Sequence, residues 1–183
     1  MSQNDAFAAP GKQLEQFVIF SLEHEEYAVP VLSVIEIVAT MEITPFPNAP
    51  DYILGLTNLR GKILPVLDLE KRFRLGSTDV QTRTHIMVAE SEEKVQFGLL
   101  VDQVSAVMSV PTSSIQPPPS VLKTKIGANY LPGVIVLRND TAHSDRIILI
   151  LDMPKILSDK NIRQIHEIIP ADTQYQVTHK EAT

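Results

Sequence analysis

The chain has 183 residues, 44% hydrophobic and 5% aromatic, with 16 Lys and Arg against 22 Asp and Glu. A net charge of −6 without a long basic run argues against nucleic acid and anionic membrane surfaces, which select clustered Lys and Arg. There is no cysteine, which excludes disulfides, thiol chemistry and cysteine metal sites. Residues 1–16 carry neither a basic nor an apolar segment of a signal peptide, and no apolar run approaches the ~18–20 residues of a membrane span. A soluble, cytoplasmic protein without direct membrane insertion is expected.

Residues 1–15 are small and polar, with Pro10-Gly11, and read as a flexible tail. From Gln16 the pattern turns to β: Phe17-Val18-Ile19-Phe20 is one strand, residues 23–26 a hydrophilic turn, and Tyr27-Ala28-Val29 the return strand. Pro30 cannot donate to a sheet and marks a strand end. Residues 31–38 fit helical and extended readings, and a short turn followed by a strand is favoured. Residues 40–50 carry three prolines and read as a connecting loop. The stretch 52–69, YILGLTNLRGKILPVLDL, organises the chain: an apolar strand, a tight turn at Arg60-Gly61, and a second apolar strand. Gly61 suits the turn because it adopts positive φ without a Cβ clash. Asp68 stands at the N-cap of a short helix over residues 69–73. Asn58 and Arg60 are polar groups at the end of an otherwise apolar strand, and must be either paired or shown to a partner.

Residues 76–81 read as a linker. Strands are expected over 84–89, 95–100 and 104–110, then a second proline-rich loop over 111–129, then strands over 134–137 and 146–151. Asp152 precedes a turn over 153–157, and Ile162, Ile165, Ile168 and Ile169 give the C-terminal segment 158–183 a helical spacing before a frayed tail.

The two halves resemble each other. Tyr52-Ile-Leu-Gly55 corresponds to Tyr130-Leu-Pro-Gly133, Asn58-Leu59-Arg60 to Val136-Leu137-Arg138, and Pro65-Val66-Leu67-Asp68 to Leu149-Ile150-Leu151-Asp152. Tyr27, Val31 and Val34 likewise match Phe97, Val101 and Val104. A repeat of about 75 residues with five short strands implies two small β-barrels packed together, because five strands cannot bury both faces of a flat sheet.

No catalytic constellation emerges. His24, His85, His143, His166 and His179 are scattered without metal-ligand spacing. Asp68, Asp102 and Asp152 sit at strand ends, where caps or turn formers explain them better than an acid–base pair. Phosphate loops, nucleophile elbows and dinucleotide fingerprints are absent. A single-strand nucleic-acid reader needs a basic groove with aromatic platforms, which this composition does not offer. A non-catalytic protein-binding module without cofactor or metal is the expectation.

Phe17-Val-Ile-Phe, Glu26-Tyr-Ala-Val, Val34-Ile-Glu-Ile, the Asn58-Leu-Arg-Gly hairpin with Pro65-Val-x-Asp-Leu, and Gly98-Leu-Leu-Val-Asp-x-Val together resemble the CheW-type coupling proteins of bacterial chemotaxis. The resemblance covers about residues 16–157, in the family's order. It implies a mostly β fold of two five-stranded SH3-like barrels, the first mostly 16–80 and the second mostly 81–157, with strands free to exchange, and with short helices at the barrel ends. It also implies an adaptor that docks chemoreceptor tips to the histidine kinase CheA in signalling arrays, or a coupler of another chemosensory pathway controlling pili or second messengers. In such a protein the receptor's helical tip lies in an apolar groove between barrels, and the kinase's regulatory domain meets a barrel end. Glu36 and Arg60 match the family's acidic and basic signature positions, and an ion pair between them is expected, either fixing the fold or serving a partner. Val34, Ile37 and Val101 are either core or groove lining. Asn58, Gly55 and Gly61 complete the candidate partner-binding set, the two glycines being backbone necessities first.

Overall fold

The computed structural model describes residues 13–156 apart from 23, 46, 76–83, 93 and 139–144. The expected linker, the C-terminal helix and most of the turn after Arg138 lie outside the described residues. The chain begins with the antiparallel hairpin β1 (Leu14–Leu22) and β2 (Glu25–Pro30). Pro30 ends β2, a 3₁₀ turn spans Val31–Ser33, and β3 (Val34–Ala39) follows, so residues 31–38 are a turn and then a strand. The organising hairpin is β4 (Ile53–Leu59) and β5 (Lys62–Asp68), running into α1 (Leu69–Phe73). Asp68 caps that helix, its buried carboxylate accepting from the N–H groups of Glu70 at 3.0 Å and Lys71 at 3.2 Å. Next come β6 (His85–Glu90), β7 (Gln96–Val101) and β8 (Gln103–Pro111).

The stretch 111–129 departs from the expected loop. A 3₁₀ turn leads into β9 (Ile115–Gln116), and α2 (Ser120–Ile126) follows the prolines. Prolines 117–119 stop β9 from continuing, but their fixed φ is compatible with a helix start, and the Pro119 carbonyl accepts the Leu122 N–H at 3.1 Å. Ile115, Leu122 and Ile126 supply the apolar contacts that hold these short elements. The chain closes with β10 (Gly133–Leu137), β11 (Arg146–Ile150) and α3 (Met153–Ile156).

The fold is mostly β and is built on two sheets. One has the order β8-β1-β2-β11-β10-β9 and the other β3-β6-β7-β5-β4. The sequence halves are therefore exchanged. The hairpin β1-β2 of the first half is inserted among strands of the second, and β6-β7 of the second among strands of the first. Parallel pairs make the joins, Leu149 with Tyr27 in one sheet and Val66 with Gly98 in the other. The internal repeat holds to single residues. Val34 pairs with Ala89 and Glu36 with Val88 around a bulge at Ile35, while Val104 pairs with Phe20 and Ala106 with Ile19 around the matching bulge at Ser105. Each sheet curls because the segment beyond one edge crosses to the other. Thr44 bridges Leu56 on β4, and β9 pairs with β10.

Three apolar clusters follow from this curl. Phe17, Ile19, Ala28, Ile135, Ile148 and Ile150 fill the six-stranded unit, and Leu59, Leu64, Val66, Ile86, Val88 and Leu100 fill the five-stranded one. The largest cluster lies between the sheets and takes Phe20, Tyr27 and Leu149 from one and Leu67, Phe97 and Leu99 from the other. Each such side chain contributes about 1.5–3 kcal/mol on burial, so the shared cluster is the chief adhesive between the units.

Gly55 marks a close approach. A Cβ there would stand 2.3 Å from the Thr44 carbonyl oxygen, and its φ of +154° is itself unfavourable for other residues. Gly55→Ala is expected to destabilise the fold by about 1–3 kcal/mol, read as a lower urea midpoint with an unchanged slope.

Across the join of β2 and β11, Arg146 grips Glu26 with two hydrogen bonds of 2.6 Å. The hydrogen bond from Arg146 holds the Glu26 carboxyl below its ordinary value of 4.5; partial burial opposes this shift, and the guanidinium charge adds to it. The folded pKa lies below the unfolded one, so the pair's contribution is complete above the unfolded value and is lost as pH falls through the folded one. Arg146→Gln is thus expected to lower the urea midpoint at neutral pH, with the gap from the parent protein closing below about pH 4.

Candidate protein-docking face

The turn joining β4 and β5 has two residues, with φ of +52° at Arg60 and +88° at Gly61, so both lie in the left-handed region. Such a turn matches the right-handed twist of its strands. Asn58 supports it: its Oδ1 accepts the Gly61 N–H at 2.7 Å. Arg60 is thereby projected from the barrel end, and its guanidinium reaches Glu36 on β3, with Nη2 2.9 Å from Oε2 and Nη1 donating to Oε1 at 3.3 Å. β3 and β4 are opposite edges of the five-stranded sheet, so the pair spans the line where that sheet curls closed. The Arg60 side chain is 75% exposed and that of Glu36 28% exposed. This is a surface pair, worth about 0–1 kcal/mol, and it leaves the charged end of the barrel open to solvent.

Beyond Glu36, β3 alternates. Val38 packs into the five-stranded core, and Ile37 and Ala39 face outward. Toward the N-terminal end of β3 the surface becomes an open groove of about 430 Å³ between the units. Leu32, Ser33 and Ile35 form one wall, the β6–β7 turn (Glu90, Ser91, Glu92, Lys94) a second, and Asp152, Pro154 and Lys155 a third. Leu32 is 100% exposed and Ile35 48%, an unusual display for large aliphatic side chains on a turn and an edge strand. The rim carries paired charges, Lys94 with Glu90 at 2.9 Å and Lys155 with Asp152 at 2.7 Å. Its hydrogen bond to Asp152 raises the Lys155 pKa, so the rim cation is retained throughout the physiological range.

Glu36, Asn58, Arg60 and Gly61 therefore gather at one barrel end, and the exposed Ile37 lies beside them on β3. Val34 is half-buried against the shared core. Gly55 is buried beneath Thr44, and Val101 is fully buried in the shared core, so neither presents surface. Leu32 and Ile35 were not singled out in the sequence. The signal lies in residues 31–38, where apolar residues occupy both faces of one short strand next to a proline. Among the described residues, no group of three His, Asp or Glu side chains is placed to hold a metal ion, and no helix is long and apolar enough to cross a membrane.

A two-barrel fold with exchanged hairpins and an Asn-Leu-Arg-Gly turn salt-bridged to β3 invites comparison with known proteins. The model of the CheW-like domain matches residues 16–161. The chain belongs to the CheW-like family. The CheW chemotaxis protein of Treponema pallidum is 33% identical over 153 residues, covering 82% of this chain and 86% of its own. That of Klebsiella aerogenes is 32% identical over 154 residues, covering 84% and 88%. The crystal structure of the scaffolding protein TtCheW from Thermoanaerobacter tengcongensis superposes with a TM-score of 0.69 at 31% identity, over 87% of this chain and 96% of that one. CheW-like proteins are non-catalytic adaptors with an SH3-like fold, and this chain is a scaffold protein of that chemotaxis family.

Because the Glu36–Arg60 pair is solvent-exposed, Arg60→Ala is expected to change unfolding free energy by less than about 1 kcal/mol, measured by chemical denaturation. A larger loss would show that the pair holds the fold.

Proposed function

We propose that residues 16–157 act as one coupling unit that joins the cytoplasmic tips of chemoreceptors to a CheA-type histidine kinase, in arrays at the inner membrane. The observation that supports this reading is that an open groove and a projecting, ion-paired hairpin occupy different parts of one folded unit. The groove offers exposed Leu32 and Ile35 on one wall and charged residues on the others, a mixed surface that suits an amphipathic receptor helix, with Val34 and Ile37 next to Ile35 on β3. The Arg60-Gly61 barrel end, with Asn58 and Glu36, offers polar, directional contacts suited to a barrel of the kinase's regulatory domain. Modest affinity at each suffices, because array geometry raises the effective concentration of every partner.

A second reading, a coupler of another chemosensory pathway, is favoured by one relative. Protein FrzA of Myxococcus xanthus is 29% identical over 165 residues, covering 90% of this chain and 99% of its own. Co-purification from native cells with this chain as bait, followed by mass spectrometry, tells the two readings apart by the kinase and receptors recovered. Recovery of neither would overturn both.

The two features are separable by titration. Leu32→Asp is expected to weaken binding of a receptor cytoplasmic fragment about tenfold or more while sparing the kinase regulatory domain, and Arg60→Glu to do the reverse. Equal loss of both partners in either variant would contradict the assignment of separate faces.

A further inference from the structure

Arg72, on α1, lies between two aromatic rings drawn from opposite halves of the chain. Its guanidinium carbon is 5.2 Å from the ring centre of Tyr52 and 5.1 Å from that of Tyr130, and Nη2 donates to the Tyr130 hydroxyl at 2.7 Å. The two tyrosines are repeat equivalents in structure as well as in sequence. The Tyr52 carbonyl accepts the Asp68 N–H at 2.8 Å, and the Tyr130 carbonyl accepts the Asp152 N–H at 3.0 Å. Each tyrosine is therefore tied to the strand end that leads into its own unit's terminal helix. Arg72 stands four residues after Asp68, and the residue four after Asp152 is the fully buried Ile156. Only one half supplies a cation, and that cation engages the equivalent ring of both.

The shared core holds the units together by area, and apolar burial has no preferred direction. A guanidinium held by two rings and a hydrogen bond does have one, because each contact constrains both distance and angle. Phe73, next in the chain, adds a ring contact of 5.6 Å to Tyr130. The groove walls depend on this angle, since Leu32 and Ile35 flank the five-stranded unit and Pro154 and Lys155 follow the last strand of the six-stranded one.

We propose that Arg72 is a positioning residue, a clasp that fixes the angle between the two barrels and with it the width of the groove between them. Its consequence for signalling rests on the proposed coupling role; its consequence for barrel geometry does not.

The chain contains no cysteine, so spin labels at Lys62→Cys on β5 and Ser109→Cys on β8 report the inter-barrel distance by pulsed electron paramagnetic resonance. The expected result is one narrow distribution in the parent. In Arg72→Met it becomes roughly twice as wide, and in Tyr130→Phe, which removes only the hydroxyl acceptor, its width is intermediate. Circular dichroism confirms that the variants fold, and if Arg72→Met does not, Tyr130→Phe decides. Unchanged widths, or a lower melting temperature without broadening, would overturn the clasp. Assays of the same variants with receptor fragments and kinase on vesicles read the second consequence: kinase activation falls in step with the broadening. Broadening without any change in activation leaves the clasp standing and removes its consequence for signalling, whereas no activation even with the parent protein would overturn the coupling role and leave the clasp untouched.

Discussion

Two parallel strand pairs, β11 on β2 and β5 on β7, bind each half of the chain into the sheet of the other. Parallel pairing needs a long crossover: α1 and β6 lie between β5 and β7, and the whole five-stranded unit lies within the connection from β2 to β11. The β2–β11 join also carries polar reinforcement that a purely apolar seam lacks, in the two-pronged grip of Arg146 on Glu26. Both proposed docking features depend on this exchange. The interbarrel groove exists only because both barrels contribute a wall, and its place relative to the Arg60 hairpin is set by strands that cannot separate without unpairing.

The backbone repeat is closely kept, down to the twin bulges at Ile35 and Ser105, while the side chains on it have diverged. Glu36 in the first half corresponds to Ala106 in the second, and Ile37 to Val107. The first barrel thus acquires a charged, ion-paired edge, whereas the strand β8 presents Ser105, Ala106 and Ser109 to solvent. A two-fold scaffold needs such substitutions to offer two different surfaces. The asymmetry of Arg72 against Ile156 follows the same logic at the interface between the units.

Much of this was legible in the sequence, for identifiable reasons. The hairpin at Arg60-Gly61 and the Asp68 cap are local events, fixed by turn sterics and by N–H groups within three residues, so residue type predicts them. The repeat was legible because Tyr, Gly and Asp recur in a fixed order. What could not be read was long-range. Which hairpin lodges in which sheet depends on pairings far apart in the chain, such as Phe17 with Met108 and Tyr27 with Leu149, and no local pattern encodes it. Prolines 117–119 masked β9 and α2, because their breaker signal outweighs a two-residue strand with a single apolar side chain. Val101 and Leu32 were equally plausible as surface or core by type; tertiary packing buried the first completely and left the second bare.

The exchanged topology also has a consequence for how the chain is made. As it emerges from the ribosome, β1 and β2 have no sheet to join until β8, β10 and β11 have been synthesised, and the five-stranded unit waits for β6 and β7. The first half therefore spends most of translation with open strand edges and an uncovered apolar face, the state most prone to pairing with a neighbouring nascent chain. A scaffold protein, whose folded form serves to join others, begins as a polypeptide that must avoid joining its own siblings.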